Sequence, residues 1–111
     1  MSFNELPEFS KEFNQLAKKY KSLPGDLEVF KRVIAIVPLG NGKHFNVITK
    51  NNQCAIVKAR LFCRYLKGST KLRIIYAYHA EPLSFCFLEI YFKGKKENED
   101  RDRIKLYLEN I

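Results

Sequence analysis

The sequence predicts an α+β domain: an N-terminal helical hairpin packs on a mainly antiparallel, four- to five-stranded twisted sheet, and a C-terminal helix follows. Three observations lead to this fold class. Apolar residues recur with the helical period of 3.6 in the first third of the chain, and with the strand period of two afterwards. Turns of about four residues join the later segments, which is too short for crossover helices. With 111 residues, the chain is predicted to form one domain over 1–111.

The first 42 residues predict a short strand and two helices. "MSFNEL" is the strand, with Phe3 as its inward anchor. Pro7 opens the first helix, where its missing N–H is harmless. That helix has one apolar face, formed by Phe9, Phe13, Leu16, Ala17 and Tyr20. "KSLPGD" starts the second helix, which ends at Pro38 and buries Leu27, Phe30, Ile34 and Val37.

Four predicted strands follow, read from "HFNVIT", "CAIVKARLFCRYL", "KLRIIYAYH" and "SFCFLEIYF", with turns at "KNNQ", "KGST" and "AEPL". Alternation assigns the core face of the last three strands to Val57, Ala59, Leu61, Cys63, Leu72, Ile74, Tyr76, Cys86, Leu88, Ile90 and Phe92. The opposite face carries Lys58, Arg60, Arg64, Lys71, Arg73, His79, Phe85, Phe87, Glu89, Tyr91 and Lys93. Acidic residues in 97–102 lead the last helix, and the helices are expected on one sheet face.

The net charge of +8 is concentrated in one part of the chain. Residues 53–96 contain nine Lys and Arg against two acidic residues, Glu81 and Glu89. Such a patch favours a polyanion, an acidic protein or an anionic surface as partner, without choosing among them. A solvated outer face is the simpler interpretation, but it usually alternates charge signs, because like charges across strands are unfavourable.

Several classes of protein leave no trace in the sequence. No apolar run approaches the length of a membrane span, and the N-terminus lacks the pattern of an export signal, so we expect a cytoplasmic protein with no membrane partner. The odd set of Cys54, Cys63 and Cys86 indicates reduced thiols. Neither metal-ligand spacing nor a phosphate-binding glycine loop is present, so no metal and no cofactor are expected.

The cationic face suits nucleic-acid phosphates, since Arg offers bidentate contacts and Lys a mobile point charge. We assign RNA binding to Arg64, Lys71, His79, Lys95 and Lys96. Phe85, Phe87 and Tyr91 on the same face are expected to stack on bases. His79 is also a candidate general acid or base, although a single histidine at a strand end is more often an ordinary surface residue, and His44 is a weaker candidate for the same role.

Cleavage of RNA by its own 2′-hydroxyl needs a base, an acid and a group that stabilises the negative charge of the phosphorane. A cationic cluster lowers the pKa of a neighbouring lysine, so a lysine of this face is a candidate base, with Lys58 and the lysines after the last strand left open. Arg73 suits stabilisation of the transition state, and Lys93 suits the phosphate or the leaving group. Glu89 is either an alternative base or the partner of Arg73 or Lys58 in a salt bridge.

Three stretches together resemble the RelE/ParE superfamily, the toxins of type II toxin–antitoxin modules: "FSKEFNQLAKKYKSLPGDLEVF", "IVKARLFCRYLKGSTKLRIIYAYH" and "LEIYFKGKKENEDRDRIKLYL". The resemblance implies a small, metal-free ribonuclease that cuts mRNA, in many members only on the ribosome, and is neutralised by a cognate antitoxin. The family's strand lysines, which act as base and phosphate binders, correspond to Lys58 and Arg60, and its strand arginine corresponds to Arg73. Its later basic residue falls on Lys93, Lys95 or Lys96.

One departure from the family pattern concerns the acid. Active members carry a Tyr or His in the last strand or near the C-terminus, and here Tyr91 stands in, because Tyr107 lies farther along the chain. The superfamily also contains inhibitors of DNA gyrase that lack the ribonuclease residues, and this alternative stays open. A third hypothesis is a module that binds RNA without cleaving it.

Overall fold

In the computed structural model, which describes residues 1–67 and 71–111, the elements follow the predicted order. They are β1 (Ser2–Glu5), α1 (Pro7–Lys19), α2 (Leu23–Ile36), β2 (Phe45–Lys50), β3 (Ala55–Leu61), a 3₁₀ turn (Arg64–Leu66), β4 (Leu72–His79), β5 (Ser84–Phe92) and α3 (Arg101–Glu109). The predicted turn "KGST" lies largely outside the described residues. The α+β class is confirmed.

The described strands form a five-stranded sheet in the order β1-β5-β4-β3-β2. Strands β2 to β5 are antiparallel neighbours, as the short turns between them require. Strand β1 runs parallel to β5 and pairs Ser2 with Ser84. This parallel pairing is possible because α1 and α2 separate β1 from the other strands along the chain, so that no tight hairpin joins β1 to a neighbour. The sheet is therefore mixed but mainly antiparallel, as predicted.

The helical hairpin covers one face of this sheet. Helix α1 begins at Pro7 and buries Phe9 completely, and α2 adds a fully buried row of apolar side chains. These pack on the residues that alternation assigned to the core, including Val57, Ala59, Leu61, Leu72, Ile74 and Tyr76. Each large apolar side chain that is fully buried here contributes roughly 1.5–3 kcal/mol.

Helix α3 covers the opposite face, so the expectation that the helices share one face is wrong. Its Ile104 packs in a second apolar cluster with Ile56, Ile75, Ala77 and Leu88. The reason is that the second face is itself apolar along half its length, and this surface has to be buried too. The predicted cationic face is consequently cationic only at the end that α3 leaves open.

Strand β3 ends at Leu61 and does not continue to residue 66 as predicted. Beyond it, the Asp26 carboxylate of α2 accepts hydrogen bonds from the Arg64 backbone N–H and Nε, each at 3.1 Å. The Ser22 hydroxyl donates to the same carboxylate at 2.6 Å. Burial acts to raise the pKa of Asp26, but the hydrogen bonds that it accepts lower it below its ordinary value. These contacts draw the chain away from the sheet, so Arg64 leaves the predicted cationic face.

A β-bulge in β5 reverses the predicted orientation of two aromatic residues. Phe87 pairs with Tyr76 and Glu89 with Ile75, so Leu88 is the extra residue. Before the bulge, Phe85 and Phe87 point into the core under α1 and α2; the intervening Cys86 packs with Leu88 in the α3-side cluster. The expected stacking of Phe85 and Phe87 on bases is therefore wrong, because both rings are buried.

Candidate nucleic-acid interface

Three site candidates lie in one row across the sheet. Arg60 of β3 pairs with Arg73 of β4, which in turn pairs with Tyr91 of β5. The neighbouring row contains Lys58, Ile75 and Glu89. Directly paired residues of antiparallel strands project from the same face. Ile75 and Tyr91 lie in the apolar cluster under α3, whereas Lys58, Arg60 and Arg73 reach the end of the face that α3 leaves open.

A depression of about 220 Å³ opens at this end of the sheet. It is lined by Lys43, His44, Phe45, Asn46, Lys58, Ala59, Arg60, Arg73 and Lys93. Four of the residues predicted to be catalytic therefore share one concave surface. No carboxylate is present among the described residues that line it, so the depression is a strongly cationic site suited to a phosphate.

Lys43 and His44 are part of the depression, although His44 was only a weak candidate from the sequence and Lys43 was not predicted. The His44 carbonyl accepts the Arg60 backbone N–H at 3.0 Å, which places His44 beside the row. Counting residues back from the "KNNQ" turn misses this pairing by one residue, because an irregularity between Val47 and Thr49 shifts the register of β2 against β3.

The Lys58 ammonium forms a 2.9 Å ion pair with Oε1 of Glu99, a residue just before α3. Burial acts to lower the pKa of Lys58, but the hydrogen bond to Glu99 and the nearby Tyr91 outweigh it and raise this pKa. The expectation that neighbouring cations lower the pKa of this lysine is therefore wrong. Glu99, a buried acid outside the predicted site, raises the pKa of Lys58 instead.

Arg73 is the most enclosed cation of the depression, with 8% of the residue exposed. Its Nη1 donates to the Leu72 carbonyl at 3.4 Å. Burial, and then the charge of Arg60, lower the pKa of Arg73, and Tyr91 partly opposes them. A guanidinium nevertheless stays charged in proteins, so Arg73 is a permanent and well-fixed positive charge.

Tyr91 is almost fully buried at the side of Arg73. The Tyr91 hydroxyl lies close to the Lys58 ammonium, which is its polar neighbour among the described residues. Burial raises the pKa of Tyr91, and the Lys58 cation acts in the opposite direction. The Lys96 ammonium lies 5.6 Å from the centre of the ring.

Glu89 is buried and fully engaged by the segment that follows β5. Its carboxylate accepts from the Lys96 ammonium and, at 2.8 Å, from the Asp100 backbone N–H. The Asp100 side chain in turn caps α3 by accepting the Arg103 N–H at 3.0 Å. Glu89 thus anchors the loop before α3, and Lys96, predicted to bind RNA, is its ion-pair partner.

The remaining predicted RNA contacts are dispersed. His79 lies at the far end of β4, roughly 20 Å from Arg73 at the usual rise per residue, and its Nε2 is 2.7 Å from the Tyr107 hydroxyl. Lys71 is beside the depression, since its carbonyl accepts the Lys93 N–H at 2.7 Å. Lys95 is exposed in the turn after β5. Of these residues, only Lys71 lies next to the depression.

A second, larger groove of about 710 Å³ lies between α2 and the end of β3. It contains exposed apolar side chains, notably Val29 and Val33 of α2 and Phe62. His44 and Arg60 line both this groove and the depression. The two concave surfaces are therefore continuous, one apolar and one cationic.

In residues 1–67 and 71–111, no group of three or more His, Cys, Asp or Glu side chains is arranged to hold a metal ion. Within the same residues, no helix has the length and apolar character needed to cross a membrane.

Comparison with known proteins shows similarity in fold. No protein-family model matches the sequence, and no curated protein matches it significantly. Among solved structures, a chain of the archaeal RelE-RelB complex from Pyrococcus horikoshii OT3 is similar, with a TM-score of 0.62 at 15% sequence identity. The match covers 84% of this chain and 94% of that chain. The RelE-like fold implied by the sequence motifs is thereby confirmed.

Proposed function

We propose that the chain is the toxin of a type II toxin–antitoxin system and acts as a metal-independent endoribonuclease on mRNA in the ribosome. The observation that carries the proposal is the cationic depression, in which Lys58, Arg60, Arg73 and Lys93 come together on a RelE-like sheet. A phosphate bound there has several donors within one concave surface. This concentration of charge favours a phosphodiester substrate over a surface that is merely solvated.

In the proposed reaction, the 2′-oxygen of RNA attacks the adjacent phosphorus, and the bond to the 5′-oxygen breaks. The 2′-hydroxyl proton passes to a base, and the departing 5′-oxygen takes a proton from an acid. The products are a 2′,3′-cyclic phosphate and a 5′-hydroxyl end. Arg60 and Arg73, paired in one row, bind the non-bridging oxygens and stabilise the extra charge of the phosphorane.

Proton transfer is assigned to His44 and Tyr91. His44 lines the depression, and imidazole is the side chain that gains and loses a proton near neutral pH. Tyr91 is next to Arg73 in the row, and its hydroxyl, which lies close to Lys58, is assigned the second proton transfer. Lys43, Lys71 and Lys93 extend the cationic surface to neighbouring phosphates.

Induced expression in a bacterial host tests the function. We expect growth arrest together with discrete new 5′ ends on a reporter mRNA, mapped by primer extension. Purified protein with the same mRNA, with and without ribosomes, then measures ribosome dependence. Growth arrest with intact mRNA would contradict the ribonuclease and favour the gyrase alternative, whereas RNA binding without cleavage or arrest would favour the binding module.

The antitoxin is assigned to the apolar groove beside the depression. Its exposed apolar residues, including Val29, Val33 and Phe62, adjoin Arg60 and His44. A second copy of this chain, with its own net charge of +8, is a poor match for that rim. An acidic, amphipathic segment fits both surfaces and blocks phosphate binding by covering Arg60.

Replacing Val33 with aspartate is expected to weaken antitoxin binding at least about tenfold, because a buried charge would face the apolar part of the partner. The probe is the cognate antitoxin, identified as the protein whose co-expression restores growth. Isothermal titration calorimetry measures the affinity. Leu106→Asp is the matched control, since Leu106 is an exposed apolar residue of α3 outside the groove. Equal affinity of both variants would contradict this docking site.

A further inference from the structure

Glu99 is an acid placed immediately behind the cationic depression. It precedes α3, and only 7% of the residue is exposed. Its two carboxylate oxygens have different partners: Oε1 binds the Lys58 ammonium at 2.9 Å, and Oε2 binds the Arg101 guanidinium at 3.0 Å. A buried carboxylate that is paired on both oxygens is a fixed structural feature and not a mobile surface charge.

The fold imposes this position on Glu99. The adjacent Asp100 is fixed through its N–H, which donates to the buried Glu89 of β5. On the other side, Ile104 of α3 packs in the second apolar cluster. Glu99 is thus held between two anchored points, one on the sheet and one on the helix.

Glu99 does not occupy the phosphate position. Lys58 is among the residues that line the depression, whereas Glu99 is not among the described residues that do. An ammonium group has three N–H donors. One is directed to Glu99 and a second reaches the Tyr91 hydroxyl, which leaves at least one for a ligand in the depression. Bound phosphate therefore has no need to displace the carboxylate, and this distinguishes the pair from an autoinhibitory contact.

We propose that Glu99 is a positioning residue that holds Lys58 as a fixed cation aimed at the phosphate, so that Lys58 acts by its charge and not as the general base. This inference rests on the proposed ribonuclease function. It changes the role that the sequence suggested for Lys58, because a base needs the neutral amine. The charged and titratable groups around Lys58 are Glu99 and Arg101 near α3, Glu89, Tyr91 and Lys93 of the β5 region, Arg73 of β4, Arg60 of β3, and Lys43 and His44 before β2.

Substitution of Lys58 separates the two roles. We expect Lys58→Arg to keep cleavage within a few-fold of the wild-type rate, since arginine retains a charge that can pair with Glu99, whereas Lys58→Met loses about 10²-fold. If Lys58 were the general base, both variants would be equally inactive, because guanidinium does not deprotonate in proteins. Equal inactivity of the two variants would overturn the proposal.

Substitution of Glu99 tests the positioning itself. Glu99→Gln is expected to slow cleavage by up to about 10²-fold, and the defect should grow as pH rises, because Lys58 then loses its proton at lower pH. Glu97→Gln removes the same charge from a neighbouring exposed residue and serves as the control, with an unchanged pH profile. A Glu99→Gln profile parallel to that of the wild type would contradict the proposal.

A titration of Lys58 without RNA keeps this inference distinguishable from the proposed function. NMR of the lysine side-chain ¹³Cε signals, assigned with Lys58→Arg, measures the pKa of Lys58 directly. We expect this pKa to fall in Glu99→Gln and to stay unchanged in Glu97→Gln. If the wild-type protein cleaves no RNA, the proposed function fails, while the titration still decides whether Glu99 keeps Lys58 charged. An unchanged pKa of Lys58 in Glu99→Gln would contradict the positioning role of Glu99.

Discussion

Replacement of Arg73 by alanine is expected to lower the rate of mRNA cleavage by about 10²–10³-fold. The guanidinium lies in the row between Arg60 and Tyr91 and is the most enclosed charge of the depression. An enclosed donor stabilises a phosphorane more strongly than an exposed one, because little solvent screens it. Single-turnover cleavage of a reporter mRNA, read by primer extension, measures the effect.

Two further variants make the Arg73 result specific. Arg73→Lys retains the charge but loses the bidentate fork, so we expect an intermediate rate. Lys50→Ala removes one charge from the exposed far end of β2 and should leave cleavage unchanged. Because Arg73 is buried, thermal unfolding followed by circular dichroism should establish that each variant is folded. A folded Arg73→Ala protein that cleaves mRNA at the wild-type rate would contradict the proposed active site.

Phe87→Ala is expected to reduce the free energy of unfolding by about 3–5 kcal/mol. Only 1% of Phe87 is exposed, and its ring lies against four other aromatic rings, those of Phe3, Phe9, Phe30 and Tyr76. Removing the ring leaves a cavity between the helical hairpin and the sheet that the neighbours fill only in part. Urea denaturation monitored by circular dichroism measures the loss.

The control for Phe87 is the same substitution at an exposed position. Phe62 is 56% exposed after the end of β3, so Phe62→Ala should change stability by no more than about 0.5 kcal/mol. The pair also tests the register of β5. Had Phe87 projected from the cationic face, as simple alternation predicts, its removal would weaken RNA binding and leave stability nearly unchanged.

Local periodicity was sufficient to predict the elements and most of the core. The limits of β5 coincide with the predicted segment "SFCFLEIYF", and α1 begins at Pro7 as expected. These features depend on residues close together in the chain, where the physical rules of helix and strand formation act directly. The grouping of Lys58, Arg60 and Arg73 likewise followed from period-two alternation along two adjacent strands.

The errors occur where one residue changes the register or where distant segments meet. The extra residue Leu88 reverses Phe85 and Phe87 relative to simple alternation, and a bulge leaves no clear mark in the sequence. The early end of β3 depends on Asp26, which is 38 residues from Arg64. Neither effect can be read from the periodicity of a single segment.

The order of the elements, the apolar faces of the hairpin and the cationic character of β3 and β4 can all be predicted from local patterns of residues. Which cations share the depression depends on the packing of distant segments. This packing brings His44 beside Arg60, removes Arg64 to α2, and places Glu99 behind Lys58. Side-chain periodicity is a local property of the chain. The charge state of a site instead depends on every group within a few ångströms, including groups that are 41 residues away in the chain.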